Sequence, residues 1–322
     1  MPVPYLGEEI DLFNPDGSTV RVRAFGNQFH AVFETLDGYT VVKDPDSSYF
    51  HYAVLSEDGH ELLPSGTRVG TGDTRALGLQ PHLRVSPVAA RRDALRARDQ
   101  GVRPRWEIRR QRRLEQLRAL DGAEAAPPPA TTTGDYTGLV LLVQFPDVPG
   151  TITRQQVDDF CNQVGYTGFG NNGSAYDYYL SVSDGKLRYH NVVTAYYTAS
   201  HPRDYYTDPS IPFGTRARQL IVEALDSLKA SGFDFSQLSS DSGGYVYALS
   251  VFYAGPRVNN WSEGLWPHSW ALATPYVASP TKKFSDYQIT DMGSQLTLRT
   301  FCHENGHMVC DFPDLYDYGN ES

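Results

Sequence analysis

The chain has 322 residues, 40% of them hydrophobic and 20% charged, which is ordinary for a globular protein and long enough for two domains with cores of their own. A formal net charge of −10 argues against nucleic acid or an anionic membrane surface as the main partner. The 3 cysteines are too few for a disulfide framework, and no apolar run approaches the ~20 residues that span a bilayer.

Residues 1–90 read as β-rich. "FNPDGSTVRVRAFG" places a turn at Asp16-Gly17 before alternation through Val20, Val22 and Ala24. "NQFHAVFETLDGYTVV" and "SSYFHYAVLSEDGHELL" repeat the pattern around Asp37-Gly38 and Asp58-Gly59, which are short-range hairpin signals. The stretch 91–120 is arginine-rich, with Trp106, Leu114, Leu117 and Leu120 as a sparse stripe at helical spacing. A basic nucleic-acid arm would predict binding that weakens steeply with salt. The acids Asp93, Asp99, Glu107 and Glu115 within the run, and the acidic balance of the chain, favour a solvated helix instead. "DGAEAAPPPATTTGD" (121–135) has the composition of a linker, which sets a domain boundary near 134 and offers a site for a processing protease.

Beyond it, the apolar run 138–145 fits a strand buried on both faces. "TRQQVDDFCNQV" is helical in pattern. Ser174 with Asp177 resembles a capping box, and a turn at Ser183-Asp184-Gly185 leads into a strand through Leu187, Tyr189 and Val192. Leu220, Ile221, Ala224, Leu225 and Leu228 share one helical face closed by Gly232, and 245–255 reads as a further central strand. Strands alternating with helices predict an α+β domain built on a mixed sheet.

The chemistry concentrates in "TLRTFCHENGHMVCDFPDLYDYG". His303 and His307, at i and i+4, project from one face of a helix and can share one Zn²⁺. Glu304, next round the helix, is placed to take a proton from a water on the metal's open side. Leu298, Phe301, Cys302, Met308 and Val309 supply the apolar stripe that such a helix needs. Pro313 is expected to end the helix. Asp311, Asp314 and Asp317 are candidates for the third ligand, with Asp314, just past the turn, preferred. Cys302, on another side of the helix from the histidines, reads as a small buried hydrophobe. Eight residues from Cys310 along a helix, it is out of disulfide reach. His268, between two tryptophans, reads as a packed and hydrogen-bonded histidine, as do His190 and His201. Tyr316 or Tyr318 could serve as an oxyanion donor, though packing is the plainer role. The oxygens of "DLYDYGNES" could hold Ca²⁺, but without EF-hand spacing.

These motifs bring a family into view. "FGNQFHAVFETLDGYTVV", "YTGLVLLVQFPD", "AYDYYLSVSDGKL", "LWPHSWAL", "ITDMGSQLTLRTFCHENGHM" and "PDLYDYG", in this order, resemble the immune inhibitor A-like secreted bacterial zinc metallopeptidases. The resemblance implies a zincin-like catalytic domain over 135–322, a β-rich pro-domain over 1–90 and a connecting segment over 91–134. It implies His303 and His307 as zinc ligands, Glu304 as general base, protein or peptide substrates, and export as a zymogen whose cleft the N-terminal domain blocks. A monomer with no nucleic-acid partner is expected. The opening "MPVPYLGEEIDLF" shows no signal peptide, so either the chain is cytosolic or the natural start lies elsewhere. Many members resemble HExxHxxGxxD; here Cys310 takes the glycine position, Pro313 takes the aspartate position and Asp314 follows one residue late. The chain also stops soon after the motif, so a truncated cleft is expected. The rival reading is a catalytically inactive or truncated protein of protease fold that acts as a surface or binding protein, against which the intact Glu304 speaks.

Overall fold

The structure is a computed structural model that describes residues 5–26, 30–99, 103–120 and 132–312. The described residues divide into two compact units, 5–99 and 103–312. Among them are seven α-helices and two sheets, a mixed α+β composition.

The first unit is an antiparallel meander of β1 (Tyr5–Phe13), β2 (Thr19–Gly26), β3 (Ala31–Thr35), β4 (Thr40–Lys43), β5 (Phe50–Leu55) and β6 (Leu62–Arg68), paired in sequence order. The Asx-Gly turns close three of its hairpins, with Gly17, Gly38 and Gly59 all at positive φ. The period-2 pattern holds: Val20, Val22 and Ala24 are buried, and the residues between them face solvent. Buried Glu34 is met by Arg84 at 2.5 Å and His82 at 3.1 Å, so its charge is paired. Helix α1 (Pro87–Asp99) follows.

The second unit begins with α2 (Arg105–Leu120) and is built on a five-stranded sheet. Its strands are β7 (Gly134–Gln144), β8 (Leu187–Thr198), β9 (Leu249–Tyr253), β10 (His268–Val277) and β11 (Lys283–Asp291), in the order β10-β11-β9-β7-β8. Only the β10–β11 pairing is antiparallel. Between them run α3 (Arg154–Asn162), α4 (Ala175–Val182), α5 (Arg203–Thr207) and α6 (Thr215–Ala230), and α7 (Leu298–Cys310) ends the unit. The Thr153 and Ser174 side chains cap α3 and α4 through complete capping boxes.

Strand β7 shows why an unbroken apolar run belongs at the centre of a sheet. Leu139, Leu141 and Val143 pack with α6 residues Leu220, Ile221 and Leu225. Val140 and Leu142, pointing the other way, pack with Val157, Phe160 and Phe301 of α3 and α7. All five β7 residues are at most 2% exposed, so truncation of any one to alanine should cost about 2–5 kcal/mol. Three differences from the sequence reading stand out. The compact units part between α1 and α2, so α2 belongs with the second unit. The strand expected over 245–255 is shorter, with Tyr245 and Val246 making isolated bridges before β9. Strands β10 and β11 went unassigned, although "SWALATPYV" and "KFSDYQIT" flank the turn-rich "ASPTK". Among the described residues no helix is long and apolar enough to cross a membrane.

Candidate metal centre

Helix α7 carries the site. Thr297 makes no side-chain cap; Asn171 replaces it, accepting from the Leu298 N–H at 3.2 Å and donating to the Leu296 carbonyl at 2.8 Å. From Glu304 to Cys310 every residue is buried, as are Phe301 and Cys302, so the helix is enclosed on almost every side. His303 is half-buried, while Glu304 and His307 are each 1% exposed.

The two imidazoles meet edge to face, their Nε2 atoms 3.1 Å apart. Two nitrogens each ~2.0–2.1 Å from one tetrahedral ion would lie about 3.3 Å apart. Nδ1 of His307 lies 2.6 Å from the Phe312 carbonyl, which can only accept, so Nδ1 carries the proton and the Nε2 lone pair faces His303. Sequence spacing placed these rings on one face; the fold also brings their nitrogens to one point. Glu304 is buried beside His303 in the same turn.

The helix ends at Cys310, three residues before Pro313. Asp311 stops it by adopting the left-handed conformation at φ 55°, its N–H 2.9 Å from the His307 carbonyl. Phe312 then folds back, its N–H 3.3 Å from the Gly306 carbonyl. A Cβ at Gly306 would sit 3.3 Å from the Phe312 ring, so the glycine makes room for the segment whose carbonyl orients His307.

Asp311 does not turn to the histidines. Its Oδ1 accepts from Arg109 Nε at 2.9 Å and its Oδ2 from Arg113 Nη2 at 2.5 Å. With α2 docked both oxygens are held by its arginines, so this structure does not bring Asp311 to the histidines. Burial nevertheless pushes its carboxyl above the usual range, against the pull of the two guanidiniums. Asp314, Asp317, Tyr316, Tyr318 and the "DYGNES" oxygens lie outside the described residues. Among the described residues no three His, Cys, Asp or Glu side chains converge as a metal group; two imidazoles do.

The expectation of a solvated arginine helix fails for α2. Arg105, Arg109 and Arg113, at i, i+4 and i+8, form its docking face. Arg105 lies over the Tyr245 ring at 4.0 Å and 3.4 Å from Asp241. Arg109 lies over Tyr247 at 5.1 Å and donates to the Met308 carbonyl at 2.7 Å. The first N–H groups of the helix, from Arg105 and Trp106, donate to the buried Asp286 carboxylate of β11 at 2.7 and 3.0 Å. Trp106, 4% exposed, stacks on His307 with ring centroids 4.9 Å apart and planes 25° apart. Leu114, part of the expected stripe, is exposed. The described side chains that dock the helix are arginines and one tryptophan.

The other three histidines of the second unit, His190, His201 and His268, stand where packing explains them. His268 is buried, with Nδ1 2.6 Å from the Trp266 carbonyl and Nε2 2.9 Å from the Tyr287 hydroxyl, and burial lowers its pKa to about 3. His190 packs on Tyr176, and His201 stacks on Tyr205 at 4.0 Å. Cys161, Cys302 and Cys310 are free and buried, and burial raises all three thiols, so none is a ready thiolate. The sequence reading missed Asp286, Asn305 and the roles of Trp106, Arg109 and Arg113. The four-residue spacing of the arginines was the one available signal. No family model matches the chain, and no curated protein matches it.

Proposed function

We propose that this chain is a zinc-dependent endopeptidase, exported as an inactive precursor, with a zincin-like catalytic domain preceded by a pro-region, as in the immune inhibitor A-like family its motifs resemble. The observation that carries the reading is the convergence of the His303 and His307 Nε2 atoms to 3.1 Å, with the His307 tautomer fixed by a backbone carbonyl. His303, His307 and Asp314 would hold the ion.

Asp314 is preferred for a reason of register. In the pattern HExxHxxGxxD a left-handed glycine precedes the aspartate by three residues. In this chain the left-handed residue is Asp311, one place later than that glycine, and Asp314 follows it by three. The turn and the carboxylate have slid together by one residue.

Bound there, zinc would supply a Lewis acid that polarises the scissile carbonyl and makes water a nucleophile at neutral pH. Glu304 takes the water's proton at its carboxylate and passes it to the leaving amine. The enclosure of α7 keeps that carboxylate out of bulk water, where a proton would otherwise be lost. Helix α2 supplies the latency. Trp106 covers the face of His307, and Arg109 and Arg113 clamp the helix end. Cutting within 121–134 severs the connection to β7, and activity follows when α2 leaves.

The test is zinc content and casein hydrolysis, measured on wild type and Glu304→Ala after limited proteolysis within 121–134. About one zinc per chain in both proteins, with hydrolysis by wild type alone, is the expected result. Zinc in both without hydrolysis in either would point to a binding protein of protease fold. No zinc in either would end the metallopeptidase reading.

A further inference from the structure

Asparagine is a poor choice for the interior of a helix, because its side chain competes for backbone hydrogen bonds. Asn305 nevertheless lies between the two histidines of α7 and is 0% exposed. Its Oδ1 accepts from the Tyr189 hydroxyl of β8 at 2.7 Å. Its Nδ2 donates to the Phe301 carbonyl at 2.9 Å and to Ser250 Oγ of β9 at 3.3 Å. Ser250 also accepts from Gln288 Nε2 of β11 at 2.9 Å, and the Tyr179 hydroxyl of α4 donates to the Cys302 carbonyl at 2.5 Å. Tyr179, Tyr189, Ser250 and Gln288 are each 1% exposed. Gly138 of β7 leaves the space for this arrangement, since a Cβ there would stand 2.5 Å from the Tyr189 hydroxyl.

We infer that Asn305 is a positioning residue, which sets the rotation of α7 about its axis and so fixes where the paired His303 and His307 nitrogens stand relative to the groups outside the helix. The inference rests on the metal reading above. At 100° per residue, Asn305 points about 180° away from the bisector of His303 and His307. Apolar packing on that face alone would tolerate small rotations of the helix, whereas hydrogen bonds to two strands, one of them tied in turn to a third, are directional. An imidazole nitrogen stands roughly 6–7 Å from the helix axis, so a turn of ~10° displaces it by about 1 Å. That is several times the ~0.2 Å within which a further ligand from outside the helix would keep its distance to an ion held by the two histidines.

The test uses the full chain and Co²⁺ as the probe, because its visible absorption reports coordination geometry. In Tyr189→Phe/Asn305→Leu both ends of the main hydrogen bond become apolar at nearly constant volume, so the fold should survive, with a melting temperature within a few degrees of wild type. Expected are a 10- to 100-fold loss of Co²⁺ affinity, a weakened visible band and, after cleavage within 121–134, a fall in kcat of about 10-fold at unchanged KM. Ser250→Ala, which removes only the weaker anchor, should show the same changes at roughly 2- to 5-fold and serves if the double variant does not fold. A folded variant with wild-type Co²⁺ affinity, spectrum and kcat overturns the positioning role and leaves the metal reading standing. Wild type that takes up no Co²⁺ overturns both.

Discussion

His268 and His307 lie in one unit and are both buried, yet their surroundings differ in kind. Both ring nitrogens of His268 meet oxygen partners, at 2.6 and 2.9 Å, which completes a neutral ring in the core. His307 sets Nδ1 against the Phe312 carbonyl, and its Nε2 faces another imidazole nitrogen at 3.1 Å. Two imidazole nitrogens keep that distance with a proton or a cation between them. Burial of a histidine is therefore uninformative by itself. What separates the packed ring from the candidate metal ligand here is the identity of the atom facing its second nitrogen.

The largest effects should come from exchanging the two sites' fates. His307→Ala should abolish stoichiometric zinc uptake, and His268→Gln should leave it intact; metal analysis of the dialysed proteins measures both. If His268→Gln lost the metal while His307→Ala kept it, the contrast would be wrong. Next in size, Glu304→Gln should retain zinc and lose 10²–10⁴-fold in hydrolysis of a peptide substrate by the cleaved protein.

A smaller effect tests the cover on His307. Trp106→Ala/Arg109→Ala removes the stacked ring and one of the two guanidiniums on Asp311. The uncut chain should then gain roughly 10-fold in basal hydrolysis, against an unchanged rate for the fully processed protein, with ~1–3 kcal/mol lost from the docking of α2. Equal rates for the uncut variant and uncut wild type would show that α2 does not limit access.

The smallest effect is a slope. His268 has its pKa lowered from the ordinary 6.5 to about 3 in the folded state. Below pH 6.5 the unfolded chain binds a proton that the folded ring refuses, so this contribution is complete above 6.5 and declines as pH falls towards 3. Denaturant unfolding between pH 4 and 5.5 should lose about 1.4 kcal/mol per pH unit from this group, falling to about half that at 6.5, and His268→Gln should flatten the limb by that amount. An identical slope in the variant would assign the acid limb to other groups.

The two arginine-rich helices extend the lesson. Their composition is alike, and each has arginines four residues apart, Arg92 and Arg96 in α1; in α2 they lie on the side that meets Asp241, Asp286 and Asp311. Net charge suggested a solvated surface; the acids that decide the matter come from β11, α7 and the loop before β9. The end of α7 teaches the same thing in smaller compass. Pro313 marks where a helix has to stop, yet left-handed Asp311 stops it earlier, because arginines hold the side chain and the Phe312 carbonyl is drawn to His307.

By itself the sequence determined whatever depends on neighbours along the chain. The Asx-Gly hairpins, the Ser174 capping box, the buried run of β7, the amphipathic face of α6 and the i, i+4 histidines are all written in a few adjacent residues, where local sterics and hydrogen bonds set the outcome. Only the tertiary structure decided which surface α2 covers, how β10 and β11 pair, and what holds α7 in rotation. Arg109 and Asp311 are 202 residues apart, and Tyr189 and Asn305 are 116 apart. No periodicity spans such intervals; those contacts exist because the sheet brings their strands and helices together.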